Sequence, residues 1–241
     1  MFKKNLISGT LNHQLLIPTE QEFQQIVIAE SILKKQQLPD YLDIARDYFV
    51  IGCSTSLRYS EIACLTPTNI KIVNGQECIV ILLQMTQNSE FVIPLNSVSK
   101  FFIYKQFKSN KFRGIKYMSI YKINEQLHSL FELLGFNSLQ IKHNWYGGKA
   151  TSILTPKWQA MSMHASRQYF RNLWVNSNSG SLGCPIISSN KNTKVTQQHI
   201  HKVFQKMQQV FSKVQLPPTI ASVRKAKIAQ ISKICESRNN I

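Results

Sequence analysis

The chain has 241 residues, 43% of them hydrophobic, which is enough for one large domain or two small ones with a packed core. Its formal net charge of +17 destabilises a compact state by self-repulsion unless a polyanion binds, and nucleic acid is the commonest such partner. The sequence has no apolar run long enough to span a bilayer, and residues 1–16 lack the features of a secretory signal. We therefore expect neither a membrane-embedded nor a secreted protein.

The cysteines are scattered, without a C-x-x-C pair and without a histidine at metal-ligand spacing. This pattern predicts free, mostly buried thiols in a reducing intracellular compartment, which could be the cytoplasm, a nucleoid or an organelle. It argues against a zinc site, and no other metal or cofactor is expected. The cysteines are Cys53, Cys64, Cys78, Cys184 and Cys235.

Helix signals come first along the chain. Thr19 and Glu22 have the spacing of a capping box for a helix that runs to about Lys35, and Pro39-Asp40 starts a second helix. The side chains of this second helix that we expect in the core are Tyr41, Ile44, Ala45, Tyr48 and Phe49.

Strand signals follow from residue 69. Residues 69–73, 77–84 and 89–95 have the period of strands, and Asn74-Gly75 favours a tight hairpin turn between the first two. The pattern predicts three short antiparallel strands inserted into an otherwise helical chain.

The second half of the chain returns to mostly helical signals. Residues 97–108 predict a helix, and Ser119 caps another that stops at Gly135. Residues 141–156 predict a surface hairpin, and an amphipathic helix is expected from Phe204 to about Val214.

Arg58 lies near the start of a short predicted helix that ends before Pro67. Apolar stretches on both sides make an unpaired guanidinium costly at this position. One interpretation is an ordinary ion pair with Glu61, three residues on and on the same helix face. The other is a site for an anion.

A second basic motif lies about a hundred residues later. His164 and Arg167 are at i and i+3 and Arg171 is at i+7, so all three project from one helix face. Further basic residues follow the helix at 97–108, where either a solvated loop or a phosphate-contacting loop fits the pattern. The predicted contacts to DNA are Lys105, Lys108, Lys111, Arg113, Arg171, Lys191 and Lys194.

The two motifs together resemble the active-site signature of the tyrosine recombinases, the phage-integrase family. The family's first motif is roughly T-G-L-R-x-S-E-L, and residues 55–62 are T-S-L-R-Y-S-E-I. The family's H-x-x-R matches His164 to Arg167, and residues 189–201 resemble its closing motif. The resemblance runs from about Ile17 to about Val203.

The resemblance implies a mixed α+β, mostly helical catalytic domain with a small three-stranded antiparallel sheet. We assign residues 17–214 to this domain, 1–16 to an N-terminal extension and 215–241 to a basic C-terminal helix or tail. Relatives carry a further N-terminal helical domain that clamps DNA, for which residues 1–16 are too short. The implied partner is duplex DNA, with a homo-oligomer or a partner recombinase contacted through the C-terminal helix, and no membrane.

The family's chemistry implies roles for five residues. Arg58, His164 and Arg167 match the groups that hold a DNA phosphate, which needs no metal. Asn190 stands in place of a second histidine and His199 in place of the nucleophilic tyrosine. The lysine acid of the family falls at Met85, which has no proton to give.

These departures lead to three functional hypotheses. The first is a recombinase-like DNA-binding protein, related to DNA recombination and integration, that keeps phosphate binding and has lost strand cleavage. The second is an active recombinase whose nucleophile is His199 or a tyrosine not yet placed. The third is a basic RNA-binding or ribonucleoprotein component that uses the fold as a scaffold.

Overall fold

A computed structural model describes residues 16–34, 37–83, 89–146, 149–177, 187–189 and 197–217. This part of the chain is a mixed α+β structure, mostly helical, with a small antiparallel sheet, as predicted. The larger of two buried apolar clusters in this part of the chain contains residues from Phe23 to Phe211, contributed by both helices and sheet. No helix in the described ranges has the length and apolar character needed to cross a membrane.

The N-terminal helix is interrupted where the sequence predicted continuity. Helix α1 (Glu20–Val27) begins with the predicted capping box, in which Thr19 and Glu22 each bond the other's backbone N–H. The prediction of one helix to Lys35 is wrong, because Ile28 leaves helical geometry (φ −107°, ψ 31°) and a short helix α2 (Ala29–Ile32) follows.

Helix α3 (Asp40–Thr55) is the central element, and every residue from Ile44 to Thr55 is buried. It packs against helices on several sides, which explains the near absence of an exposed face. The prediction that Tyr41 faces the core is wrong, since its side chain is 50% exposed. The first turn instead buries Leu42 in a small cluster with Ala29, Leu38 and Leu130.

A tight connection links α3 to the short helix α4 (Tyr59–Ala63). Ser56 ends α3 in the left-handed conformation (φ 62°), and Arg58 occupies the N-cap position of α4. Arg58 therefore lies at the start of a short helix, as predicted.

The three predicted strands are confirmed as β1 (Ile70–Val73), β2 (Gln76–Leu83) and β3 (Ser89–Pro94). They pair antiparallel in the order β1-β2-β3. The turn between β1 and β2 uses Asn74 (φ 52°) and Gly75 (φ 77°), the two positive φ angles that this kind of hairpin requires.

Two helices follow the sheet, α5 (Ser97–Ser109) and α6 (Ile120–Leu133), and both pack on α3. Ser119 caps α6 as predicted, and Gly135 follows the helix end with φ 78°. The connection at 110–119 is the basic segment, which we call the basic loop.

A two-stranded hairpin, β4 (Leu139–Tyr146) and β5 (Lys149–Pro156), confirms the predicted hairpin. Helix α7 (Lys157–Ala160) leads from it into α8 (His164–Asn176). The predicted helix that carries His164 and Arg167 is therefore present.

The last elements differ in part from the prediction. Strand β6 (Ile187–Ser189) pairs with β3 and adds a fourth strand to the three predicted. Helix α9 (Gln197–Phe211) begins seven residues before the predicted start at Phe204. Its buried residues include Met207 and Phe211, and Phe211 lies 6.2 Å from Phe170 between ring centroids, so α9 packs on its own chain.

Candidate phosphate-binding site

The two motif segments meet where α3 crosses α8. Gly52 lies in the last turn of α3, and a β-carbon added there would be 2.3 Å from the Ser166 hydroxyl oxygen and 3.1 Å from Met163 Cε. Only a glycine permits this approach without displacement of a neighbour. Ser166 precedes Arg167, and Arg58 follows Gly52 by six residues, so the crossing packs α8 against the end of α3 that leads into the Arg58 segment.

Arg58 forms the predicted ion pair with Glu61. Its Nη1 donates to Glu61 Oε1 at 3.1 Å, and its backbone N–H donates to Glu61 Oε2 at 2.6 Å. The Arg58 side chain is 58% exposed, whereas that of Glu61 is 12% exposed. The ion pair uses one nitrogen of a group with five N–H donors. The ion pair and anion binding are therefore compatible.

The basic face of α8 is opposite its buried face. His164 and Arg171 are exposed and Arg167 is half-buried, as expected for positions i, i+7 and i+3 of one helix side. Arg167 borders the buried face, which consists of Ala165, Ser166, Tyr169, Phe170 and Trp174.

The other predicted catalytic positions are described only in part. Asn190 lies outside the described residues, as do Met85, Lys191 and Lys194. His199 lies in the first turn of α9, and its side chain is outside the described part of the structure.

Lys105, one of the predicted DNA contacts, is engaged in ion pairs within the fold, which argues against a role in DNA binding. Its Nζ lies 2.6 Å from both carboxylate oxygens of Asp43 and 2.9 Å from Asp47 Oδ2, and its side chain is only 22% exposed. Two carboxylates beside the Lys105 ammonium offset its positive charge, so its attraction for a phosphate is weak.

The same carboxylates belong to a buried ion cluster centred on Arg46. The Arg46 guanidinium, 1% exposed, pairs with Asp43, with Asp47 at 3.1 Å and with Glu30 at 2.5 Å. Burial alone would lower the pKa of Arg46, but the carboxylates of Asp47, Asp43 and Glu30 outweigh burial and raise it. Burial and the neighbouring Asp47 raise the pKa of Asp43. Arg46 and Asp43 are three residues apart on one helix, but nothing in the local sequence indicates that Lys105 reaches this cluster.

The other predicted DNA contacts at the end of α5 and on the basic loop are exposed. Within the described ranges no carboxylate lies within ion-pair distance of Lys108, Lys111 or Arg113.

The basic loop is hydrogen-bonded to α4. The Tyr59 hydroxyl donates to the Met118 carbonyl at 2.8 Å.

Further bonds tie the same loop to its surroundings. Ile115 N–H donates to the Leu65 carbonyl at 3.0 Å, and the Tyr48 hydroxyl donates to the Lys116 carbonyl at 3.2 Å. The loop therefore lies beside the helix that begins at Arg58, a relationship that the sequence did not predict.

Two tyrosines in this region are poor candidates for a nucleophile. Tyr169 is buried against Phe23, with ring centroids 4.8 Å apart, and burial raises its pKa. Burial and the neighbouring Tyr117 raise the pKa of Tyr59 to about 12. Both phenols hold their protons firmly at neutral pH.

No protein-family model, curated protein or solved structure matches this chain.

Proposed function

We propose that the protein is a DNA-binding protein of the tyrosine recombinase type that keeps the phosphate-holding residues and has lost strand cleavage. Arg58, His164 and Arg167 bind one backbone phosphate of duplex DNA. The observation that supports the proposal is the Gly52–Ser166 approach, which packs the end of α3, six residues before Arg58, against the helix that carries His164 and Arg167.

The residue types suit a phosphate. Planar, always-charged guanidinium groups donate paired hydrogen bonds to non-bridging oxygens, and His164 adds a further donor. Arg58 is 58% exposed and Glu61 fixes its backbone, so the guanidinium can reach a ligand without a change in the fold. Lys108 at the end of α5, and Lys111 and Arg113 on the adjacent basic loop, add contacts to neighbouring phosphates.

The missing groups argue against turnover. No lysine occurs from Ile72 to Ser99, where the family has its acid, and Met85 has no proton to donate. His199 stands at the nucleophile position, and imidazole can attack phosphorus. Without an acid to protonate the leaving oxygen, however, the reaction does not reach its transition state. Residues that hold the phosphate then stabilise a transition-state charge that never forms.

Titration of a labelled duplex at about 50 and 200 mM salt tests the proposal. We expect affinity to fall steeply with salt, and Arg58→Ala or Arg167→Ala to weaken binding and reduce the salt slope by about 1. Lys71→Ala, at an exposed position on β1, removes the same charge outside the site and serves as the matched control. Equal losses in all three variants, or a preference for structured RNA, would contradict the proposal.

A further inference from the structure

We propose that the basic loop and the start of α6 bind unpaired DNA bases, with Tyr117 and Tyr121 as a stacking surface beside the phosphate site. This inference rests on the proposed function, because it extends the DNA ligand of that site from a duplex to a duplex with an unpaired strand.

The first observation is the exposure of large aromatic side chains. Tyr117 is 73% exposed, Tyr121 86% and Phe112 47%. These three residues lie within ten positions of one another, and grouped exposed apolar side chains, unlike single ones, mark interaction sites. Aromatic rings exposed on a basic surface are what single-strand binding proteins use to stack successive bases.

The second observation is the charge around these rings. Lys111, Arg113, Lys116 and Lys122 alternate with them in the sequence, and all four are exposed. Two of these lysines have exposed acidic partners, Lys116 with Asp40 at 3.4 Å and Lys122 with Glu125 at 3.0 Å, and exposed pairs give way readily to a stronger anion. An apolar protein partner would have to bury these charges, whereas a nucleic-acid strand complements them.

The third observation is that close contacts and hydrogen bonds hold the loop against the rest of the fold. Gly114 has φ 119°, and a β-carbon there would lie 2.6 Å from the Leu65 carbonyl oxygen, so the loop lies directly on the chain after α4. The Asn110 side chain donates to the Gly114 carbonyl at 3.1 Å. A surface that is already ordered loses less conformational entropy when a strand binds.

The fourth observation places this surface near Arg58. The Tyr59 hydroxyl holds the Met118 carbonyl at 2.8 Å, and Tyr59 directly follows Arg58. Bases inside a duplex offer no open face to a tyrosine ring, so the ligand must be unpaired at this point. A strand whose phosphate is held by Arg58 would therefore have its unpaired neighbours next to the loop.

The test compares a blunt duplex with the same duplex carrying a single-stranded extension that contains 2-aminopurine. We expect tighter binding of the extended duplex and quenching of the 2-aminopurine fluorescence. Tyr117→Ala/Tyr121→Ala should lower affinity for the extended duplex at least about tenfold, remove the quenching and change blunt-duplex affinity less than about twofold. Tyr117→Phe/Tyr121→Phe keeps the rings and should behave as the wild type.

Separate results decide the two proposals. If the alanine pair leaves extended-duplex affinity and quenching unchanged, the stacking surface is excluded, whatever happens at Arg58. If the alanine pair weakens blunt and extended duplex equally, unpaired bases are likewise excluded as the ligand. If the tyrosine dependence is found while Arg58→Ala binds like the wild type, the phosphate site fails and the stacking surface stands. Because both tyrosines are exposed, thermal unfolding of the variants should stay close to that of the wild type, with a small loss where the Tyr117–Tyr59 contact is removed.

Discussion

The backbone of Gly52 in α3 lies so close to Ser166 in α8 that a β-carbon on Gly52 would sit 2.3 Å from the Ser166 hydroxyl oxygen. Gly52→Ala should therefore separate the two helices, lower the free energy of unfolding by about 1–3 kcal/mol and weaken duplex binding. Denaturant unfolding and a DNA titration measure the two effects.

A double-mutant cycle isolates this contact. Ser166→Gly removes the clashing atoms and should restore part of the stability lost in Gly52→Ala, even though it also loses the Ser166 bond to the Met163 carbonyl. Additive effects of the two substitutions would show that the helices do not depend on this approach.

The second prediction concerns the partner of Arg58. Glu61→Gln keeps an acceptor for the Arg58 backbone N–H but removes the charge that competes with a phosphate for the guanidinium. We expect stability to change by less than about 1 kcal/mol and DNA affinity to rise several-fold at low salt. Weaker binding would show that Glu61 positions Arg58 for its ligand more than it competes.

The third prediction separates two lysines on one helix. Lys105→Met leaves Asp43 and Asp47 without their ammonium and should lower the free energy of unfolding by about 2 kcal/mol or more, because one partner of a largely buried ion cluster is lost. Lys108→Met, three residues later and exposed, should leave stability unchanged and weaken DNA binding.

Chemical denaturation and DNA titration of both variants give the comparison. A loss of DNA affinity in a stably folded Lys105→Met protein would contradict the structural role assigned to Lys105.

The fourth prediction concerns alkaline pH. The folded-state pKa of Tyr59 is raised from 10.0 to about 12, so above pH 10 the unfolded chain loses this proton first. In this pH range the folded state binds more protons than the unfolded state. The free energy of unfolding should therefore fall as pH rises from 10 to 12. Burial raises the pKa of Tyr48 as well, which adds to the fall.

Tyr59→Phe tests the assignment. It removes the titrating group and should flatten this fall, while costing about 1 kcal/mol at neutral pH because the Met118 carbonyl loses its donor. An unchanged alkaline profile in Tyr59→Phe would exclude Tyr59 as a contributor.

The features predicted correctly depend on short stretches of chain. The Thr19–Glu22 capping box, the Asn74-Gly75 turn and the Ser119 cap each require atoms only a few residues apart, so local sequence determines them. The prediction that Tyr41 is buried was wrong because Leu42 is buried instead, in a small cluster that includes Leu130. Leu130 is distant in sequence, so the residues around Tyr41 do not reveal this cluster.

The candidate site shows the same difference between local and long-range relationships. The motif spacing identified Arg58 at a helix start and His164 and Arg167 on one helix face, since these are local relationships. The ion pairs of Lys105 could not be predicted, because its partners lie some sixty residues away in sequence. The contact between the basic loop and Tyr59 also joins distant segments, and only the folded chain reveals it.

Strand cleavage on a nicked suicide substrate, which prevents religation, tests the central claim most directly. The account predicts that the protein binds this DNA and forms no covalent adduct, because the proposed correspondence puts Met85 at the position of the acid and His199 at that of the tyrosine. The reaction must not be quenched with acid, which would destroy a phosphohistidine. A denaturant-stable adduct that disappears in His199→Ala would contradict the claim and make His199 the nucleophile, and one that survives this substitution would contradict it in favour of a tyrosine.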